Sequence, residues 1–130
     1  MDMGHLMDTN PKTQYGLAKP SLSKVPPLPL LAVGQVMSIG AAKYGPMNWR
    51  KDPVSASTYY DAAMRHLMAW WDGQTNDPET GLPHLAHAAA NLCILLDADS
   101  GPWLQDDRPL AGYTNEFISD NTKELPFHEQ

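Results

Sequence analysis

The chain reads as an all-α protein: a small helical domain of about three main helices, an extended N-terminal arm and an irregular C-terminal tail. Three observations carry this reading. Apolar residues recur at spacings of three and four in three separate stretches. Each stretch is closed by a glycine, Gly45, Gly73 or Gly101. No segment alternates polar and apolar residues as a half-buried strand does. With 130 residues the chain fits one domain, and 12 prolines with 9 glycines leave a sizeable part of it outside regular structure. So short a chain buries only about two-thirds of the surface it exposes when unfolded, so the helices are expected to pack in a homo-oligomer.

Residues 1–27 hold Pro11, Gly16, Pro20, Pro26 and Pro27 among few apolar positions, which predicts an extended arm rather than a helix or strand. The first helix is expected from near Pro29, placing Leu30, Val33, Gly34, Met37, Gly40, Ala41 and Tyr44 at helical spacing. Its small residues Gly34 and Ala41 are expected in a close helix contact. Gly45-Pro46 ends it, and a loop from Met47 to Val54 follows. Ser55 or Ser57 suits the cap of a second helix that runs to about Asp72 and stops at Gly73. Gln74 to Leu82 is turn chemistry and predicts a short ordered loop. Pro83 suits the first position of a third helix continuing to about Asp97. The expected organisation is therefore an arm over 1–27, a helical ligand-binding domain over 28–99 and a tail over 100–130 with room to wrap the domain or a neighbour.

Charge narrows the partners. Nine Lys and Arg against fifteen Asp and Glu leave a net charge of −6, which argues against long nucleic acid, where phosphate neutralisation supplies most of the affinity. A small anion stays open, since local cations or a metal offset the overall field. No stretch approaches the ~20 apolar residues of a membrane span, and Met1-Asp2-Met3-Gly4-His5 lacks a basic lead into an apolar run. No membrane partner and a cytoplasmic location are expected. The lone Cys93 lies in an apolar run and reads as a buried thiol of a reducing compartment.

The chemistry-bearing residues gather between Gly40 and Asn91. At 100° per residue, His84, His87 and Asn91 share one narrow sector of the third helix, with Leu85, Ala89, Leu92 and Leu96 forming its apolar face. A His-x-x-His pair ligates one metal or hydrogen-bonds one ligand; two neutral core histidines with backbone partners are the alternative. On the second helix Asp61 and Arg65 form either a site pair or an exposed pair four residues apart. His66 sits among Ala62, Ala63, Leu67, Trp70 and Trp71 and must be buried or face a pocket. Trp70 offers a platform for a base, although large aromatics more often pack in a core. Lys43, Tyr44, Asn48, Trp49 and Arg50 combine cations, aromatics and an amide, a set able to stack a base and pair a phosphate; a solvated helix exit is the alternative. Asp72, Asp77 and Glu79 add carboxylates able to hold a divalent cation beside the histidines, or serve as ordinary turn and cap residues. No phosphate-cradling glycine loop, paired-cysteine zinc motif or nucleophile elbow is present.

Several blocks in order, Gly16-Leu17-Ala18-Lys19-Pro20, Gly40-Ala41-Ala42-Lys43-Tyr44-Gly45 with Asn48-Trp49-Arg50, Asp61-Ala62-Ala63-Met64-Arg65-His66 with Ala69-Trp70-Trp71-Asp72-Gly73, and Asp77 through Asn91, resemble the dATP/dGTP diphosphohydrolase N-terminal domain family of bacteriophages and prophages. The resemblance covers about residues 14–97. It implies a phage protein that hydrolyses dATP or dGTP with a divalent metal. The broader all-α nucleotide pyrophosphohydrolases hold magnesium on Glu-x-x-Glu and Glu-x-x-Asp clusters, and this chain has neither. Its mixed histidine and carboxylate set suits manganese, cobalt or zinc as well.

Three readings follow. In the first, an enzyme uses His84, His87 and Asp61 as catalytic groups and holds Mg, Mn or Co on Asp77, Glu79, His84 and His87. Lys43 and Arg50 then neutralise phosphate, and Tyr44, Asn48, Trp49, Arg65, His66, Trp70 and Asn91 bind the nucleotide. In the second, the same residues bind without turnover and without a cofactor, as an anti-defence sponge for a cyclic or linear nucleotide signal of the host. In the third, the shared blocks reflect packing alone.

Overall fold

A computed structural model describes residues 9–124. Among them lie three long helices, α2 (Pro27–Tyr44), α3 (Ala56–Trp71) and α4 (His84–Ser100), and two short ones, α1 (Pro11–Leu17) and α5 (Thr114–Asp120). Two-residue strands β1 (Val54–Ser55) and β2 (Leu104–Gln105) and 3-10 turns at Leu22–Lys24 and Asn48–Arg50 complete the set. The chain is mostly helical, as its periodicity implies.

Helix α4 is the centre of the fold, packing along α3 on one side and α2 on the other. The contacts are made by small residues: Ala56 and Ala63 on α3 and Ala86, Ala88, Ala90 and Ala98 on α4 are buried. Alanine at these places lets the helix axes approach closely and costs no side-chain entropy. Helix α3 ends as its sequence suggests. Gly73, at φ 103°, turns the chain so that its amide and that of Gln74 bond back to the carbonyls of Trp70 and Ala69.

A clasp joins the exit of α2 to the C-terminal half of α4. Asp97 accepts from Trp49 Nε1 at 2.8 Å and takes both Arg50 Nε at 2.9 Å and a terminal Arg50 nitrogen at 2.6 Å. The Arg50 guanidinium also lies over the Trp103 ring, 4.7 Å from its centroid. That ring rests against Gly101, where any Cβ would collide with it. Trp49 is thereby buried beneath the turn.

The structure corrects several expectations. The arm is not wholly extended: Asn10 Oδ1 accepts from the Lys12 amide at 3.0 Å and Pro11 takes the first turn, so capping and a preset φ start helix α1 despite the prolines around it. The tail is not wholly irregular, since β2 pairs in parallel with β1, Val54 opposite Leu104 and Ser55 opposite Gln105, and α5 follows. Ser55 occupies the N-cap of α3 without a capping side-chain bond. The acceptor is Asp107 of the tail, which takes the Ser57 amide at 2.9 Å and the Ser57 hydroxyl. A carboxylate there also meets the positive end of the helix. Pro83 is the N-cap of α4, one place earlier than expected. Gly34 is exposed with open space around its Cα, so it makes no close helix contact within the chain. Cys93 is exposed. Leu85, Leu92 and Leu96 are exposed as well, because α4 turns its alanines and histidines inward instead.

The clasp is acid-labile in a defined direction. Hydrogen bonds from Arg50 and then Trp49 hold the Asp97 carboxyl down at about 2. A carboxyl lowered in the folded state adds stability above its unfolded value near 4 and loses it as pH falls towards 2. Asp97→Asn should therefore lower the melting temperature at pH 7 and flatten the loss of stability between about pH 4 and pH 2. Equal melting curves for the two proteins at both pH values would remove the clasp from the stabilising contacts.

Candidate functional site

Three histidines converge where the end of α3 meets the start of α4. His66 lies on α3, one and a half turns before its end; His84 and His87 lie in the first turn of α4, which runs back alongside α3. Their rings touch. His66 stacks on His87 with centroids 4.6 Å apart and planes within 9°, and its centroid is 5.2 Å from that of His84.

The connector between the helices closes over this group. The Asp77 carboxylate accepts from the Glu79 amide at 2.7 Å, the Asp77 amide donates to the Leu82 carbonyl at 2.8 Å, and Gly81, at φ 74°, donates to the Asp77 carbonyl at 2.7 Å. This is a tight Asx-type turn in which glycine supplies the left-handed position. Asn76 bridges Pro83 across its neck, and the His84 amide donates to the Thr75 carbonyl at 3.0 Å. The turn brings the Asp77 carboxylate to 3.8 Å from His66 Nδ1.

Each histidine is held by a named partner. Nε2 of His84, a buried side chain, donates to Gln74 Oε1 at 2.6 Å. Its Nδ1 faces His66 Nδ1 at 2.9 Å. Two nitrogens in contact need one proton between them, so with Nε2 of a neutral His84 donating, Nδ1 of His84 accepts and His66 donates. Nε2 of His87 pairs with the Thr80 hydroxyl at 2.7 Å, and the same oxygen accepts from the Leu82 amide at 3.2 Å. Amide and hydroxyl partners of this kind orient imidazoles towards a ligand.

The electrostatics favour neutral histidine beside an ionised carboxylate. Burial first, and the neighbouring His87 next, push His66 below its ordinary value against the opposing pull of Asp77; Arg65 works in the same sense as burial. Burial raises the Asp77 carboxyl, but the Glu79 amide, His87, the Thr80 amide and His66 together outweigh it and leave it lowered. One ring nitrogen each of His66 and His87 and one Asp77 oxygen lie within 4.8 Å of one another. Donors around a first-row cation at bond lengths near 2.1 Å lie about 3–4 Å apart, so an inward movement of about an ångström completes three ligands of one shell. Two nitrogens and one oxygen suit manganese, cobalt or zinc better than magnesium, which prefers oxygen.

The sequence-derived candidates separate into groups. His66, Asp77 and His87 come together, with His84 bound to His66 behind them. The Glu79 side chain stays exposed, its amide alone serving the turn. Asn91 Nδ2 donates to the His87 carbonyl of its own helix at 3.0 Å. Asp61 and Arg65 are exposed on α3 with no ion pair between them. Trp70 lies one turn beyond His66, partly exposed, its ring 6.1 Å from that of the more exposed Trp71. Lys43 and Tyr44 are exposed at the end of α2 and Asn48 opens the following turn, while Trp49 and Arg50 are engaged with Asp97. Gln74 and Thr80, which hold His84 and His87, have no signature in the sequence. A glutamine and a threonine in a turn carry no periodic signal, and only the fold shows that their polar atoms meet imidazoles.

The model of a family described as dATP/dGTP diphosphohydrolase, N-terminal, matches residues 9–108. A protein of Salmonella phage PMBT28, named dATP/dGTP diphosphohydrolase, is 33% identical over 96 residues, which is 74% of this chain. The chain spans about 30% of that relative's length. No solved structure matches significantly.

Because burial disfavours the imidazolium, His66 should titrate below about 6.5 in metal-free buffer. A base lowered in the folded state costs stability as pH falls, since the unfolded chain takes up the proton first. Ring-resolved NMR titration checks this, and His66→Gln should remove part of the acid sensitivity that begins near pH 6.5. A His66 midpoint at or above the ordinary value would contradict the closed arrangement.

Proposed function

Since the chain belongs to the dATP/dGTP diphosphohydrolase N-terminal family, we propose that it is a metal-dependent diphosphohydrolase of purine deoxynucleoside triphosphates with its cation on His66, Asp77 and His87. The observation that carries this reading is the meeting of those three donors within 4.8 Å. In the reaction the oxygen of water bonds to the α-phosphorus, the bond from that phosphorus to the α–β bridging oxygen breaks, and the deoxynucleoside monophosphate and inorganic pyrophosphate leave. The released proton passes to solvent.

A protein of net charge −6 with an ionised aspartate at its site repels a triphosphate. A divalent cation supplies the missing positive charge and polarises phosphoryl oxygens when bound. The chain's own residues do the rest. His66 is held towards its neutral form and Asp77 towards its ionised form, the states in which these two donors bind a cation. Gln74 acting through His84, and Thr80 acting directly, fix the imidazole orientations. Arg65, next to His66 in sequence and exposed, offers a guanidinium to a phosphate, and Trp70, one turn further, offers an aromatic face to a purine. Lys43 and Tyr44 are further candidates for the nucleotide.

Incubation of the purified protein with dATP, dGTP, dCTP and dTTP in Mn²⁺, Co²⁺, Mg²⁺ or EDTA, followed by separation of products, tests the reading. The deoxynucleoside monophosphate and inorganic pyrophosphate should form from the purine nucleotides only when a divalent ion is present. Asp77→Asn and His87→Ala should abolish turnover while the helical signal persists. Thr80→Ala, which frees the His87 ring, should weaken Mn²⁺ binding by about 10-fold or more. Nucleotide retained intact under every metal condition would overturn the enzyme.

A further inference from the structure

We propose that the open face formed jointly by α3 and α4 is the interface with a second copy of this chain, the two layers packing into a four-helix bundle. The buried and half-buried residues of helix α4 cover most of its circumference, and the sector left open carries Leu85, Leu92 and Leu96, which are 44%, 53% and 75% exposed. At 100° per residue these three lie within about 40° of one another. No charged residue occurs from Leu85 to Leu96, whereas a helix face meant for water is normally rich in charge.

Helix α3 presents a matching stripe. Tyr60, Met64, Leu67 and Trp71 follow the spacing four, three, four, as do Leu85, Ala89, Leu92 and Leu96 on α4. All four are exposed. The two stripes look to the same side: Tyr60 of α3 and Leu92, Leu95 and Leu96 of α4 line one groove of about 630 Å³, closed at its far edge by Leu104, Arg108 and Pro109 of the tail. Alternating steps of three and four are the seam pattern of helices that cross at about 20° in bundles. Two antiparallel helices carrying that seam on one shared face form half of such a bundle, and the partner that repeats the seam is another copy of the same layer. Symmetric pairing of one patch with itself is the commonest way chains associate.

The surface area supports the same occupant. A folded monomer of 14.4 kDa exposes about 6,800 Å². This chain exposes 11066 Å², and among the described residues no large side chain is fully buried. An obligate homodimer buries about 2,000–5,000 Å² in total, about 1,000–2,500 Å² from each chain, and the excess of roughly 4,000 Å² on one chain exceeds that share. The histidine group lies at the inner contact of α3 with α4, so the bundle forms without displacing it.

Sedimentation and light scattering over micromolar concentrations test this on the whole chain. The expected mass is at least twice 14.4 kDa. Leu92→Glu with Leu96→Glu should shift the protein to the single-chain mass while its far-ultraviolet helix signal remains. Should that variant unfold, the wild-type melting temperature decides: it should rise with protein concentration, as association with the folded state requires. A wild-type protein of single-chain mass, whether its face stays open or is filled by an apolar dye, would overturn the proposal. So would a double variant that keeps the full mass, or a melting temperature independent of concentration.

Discussion

The close approach of α3 to α4 sets the positions of everything else in the molecule. It rests on alanine: Ala63 of α3 and Ala88 of α4 are buried and leave little room between the backbones, while Ala86 and Ala90, about 160° further round α4, are buried on its other side. At the end where the two helices are joined, the space is filled by imidazoles, with His66 of α3 in contact with both His84 and His87 of α4. Burying polar rings between helices is favourable only if their nitrogens find partners, and the connector supplies them through Gln74 and Thr80. No buried side-chain nitrogen or oxygen among the described residues lacks a partner. The polar cluster is thus as complete as an apolar one would be, with the difference that its groups can exchange these bonds for others.

At its opposite end α4 meets a different chemistry. Asp97 gathers an indole and a guanidinium, Arg50 covers Trp103, and Asp107 crosses back to the first turn of α3. These bonds bind segments far apart in sequence and bring the first part of the tail against the helices through the β1 and β2 pair. Negative charge is used here to fasten cations and helix amides, while Asp77 is the carboxylate placed against imidazoles. One acidic chain therefore contains carboxylates with two distinct duties, and local donors decide which duty each performs.

Much of this was legible in the sequence, because it was local. Gly45 and Gly73 close helices as expected, and the step of three from His84 to His87 puts both histidines on the side of α4 that faces α3. The part that was not legible depends on partners distant in the chain. Asn48-Trp49-Arg50 reads as a ligand loop until Asp97, almost fifty residues on, is seen to occupy its donors. Glu79 and Asp77 look equivalent as carboxylates, and only the turn separates them: the amide of Glu79 bonds the side chain of Asp77, which leaves one carboxylate inside and the other in water. The leucines of α4 show the limit of periodicity most plainly. An apolar stripe signals that a face seeks cover and says nothing about whether the cover comes from the same chain.

The Asx-type turn at Asp77 has a consequence for how the molecule responds to what it binds. Its carboxylate belongs to the connector, while the two imidazoles nearest to it belong to different helices. Any ion or molecule gripped by all three ties loop to both helices at once, and none of the grip survives when they separate. Occupancy and order of the connector are therefore thermodynamically linked, with a stabilisation that grows as the logarithm of ligand concentration above the dissociation constant. The same linkage makes the connector a gauge: its resistance to hydrogen exchange or to proteolysis reports, without any assay of chemistry, how full the histidine cluster is.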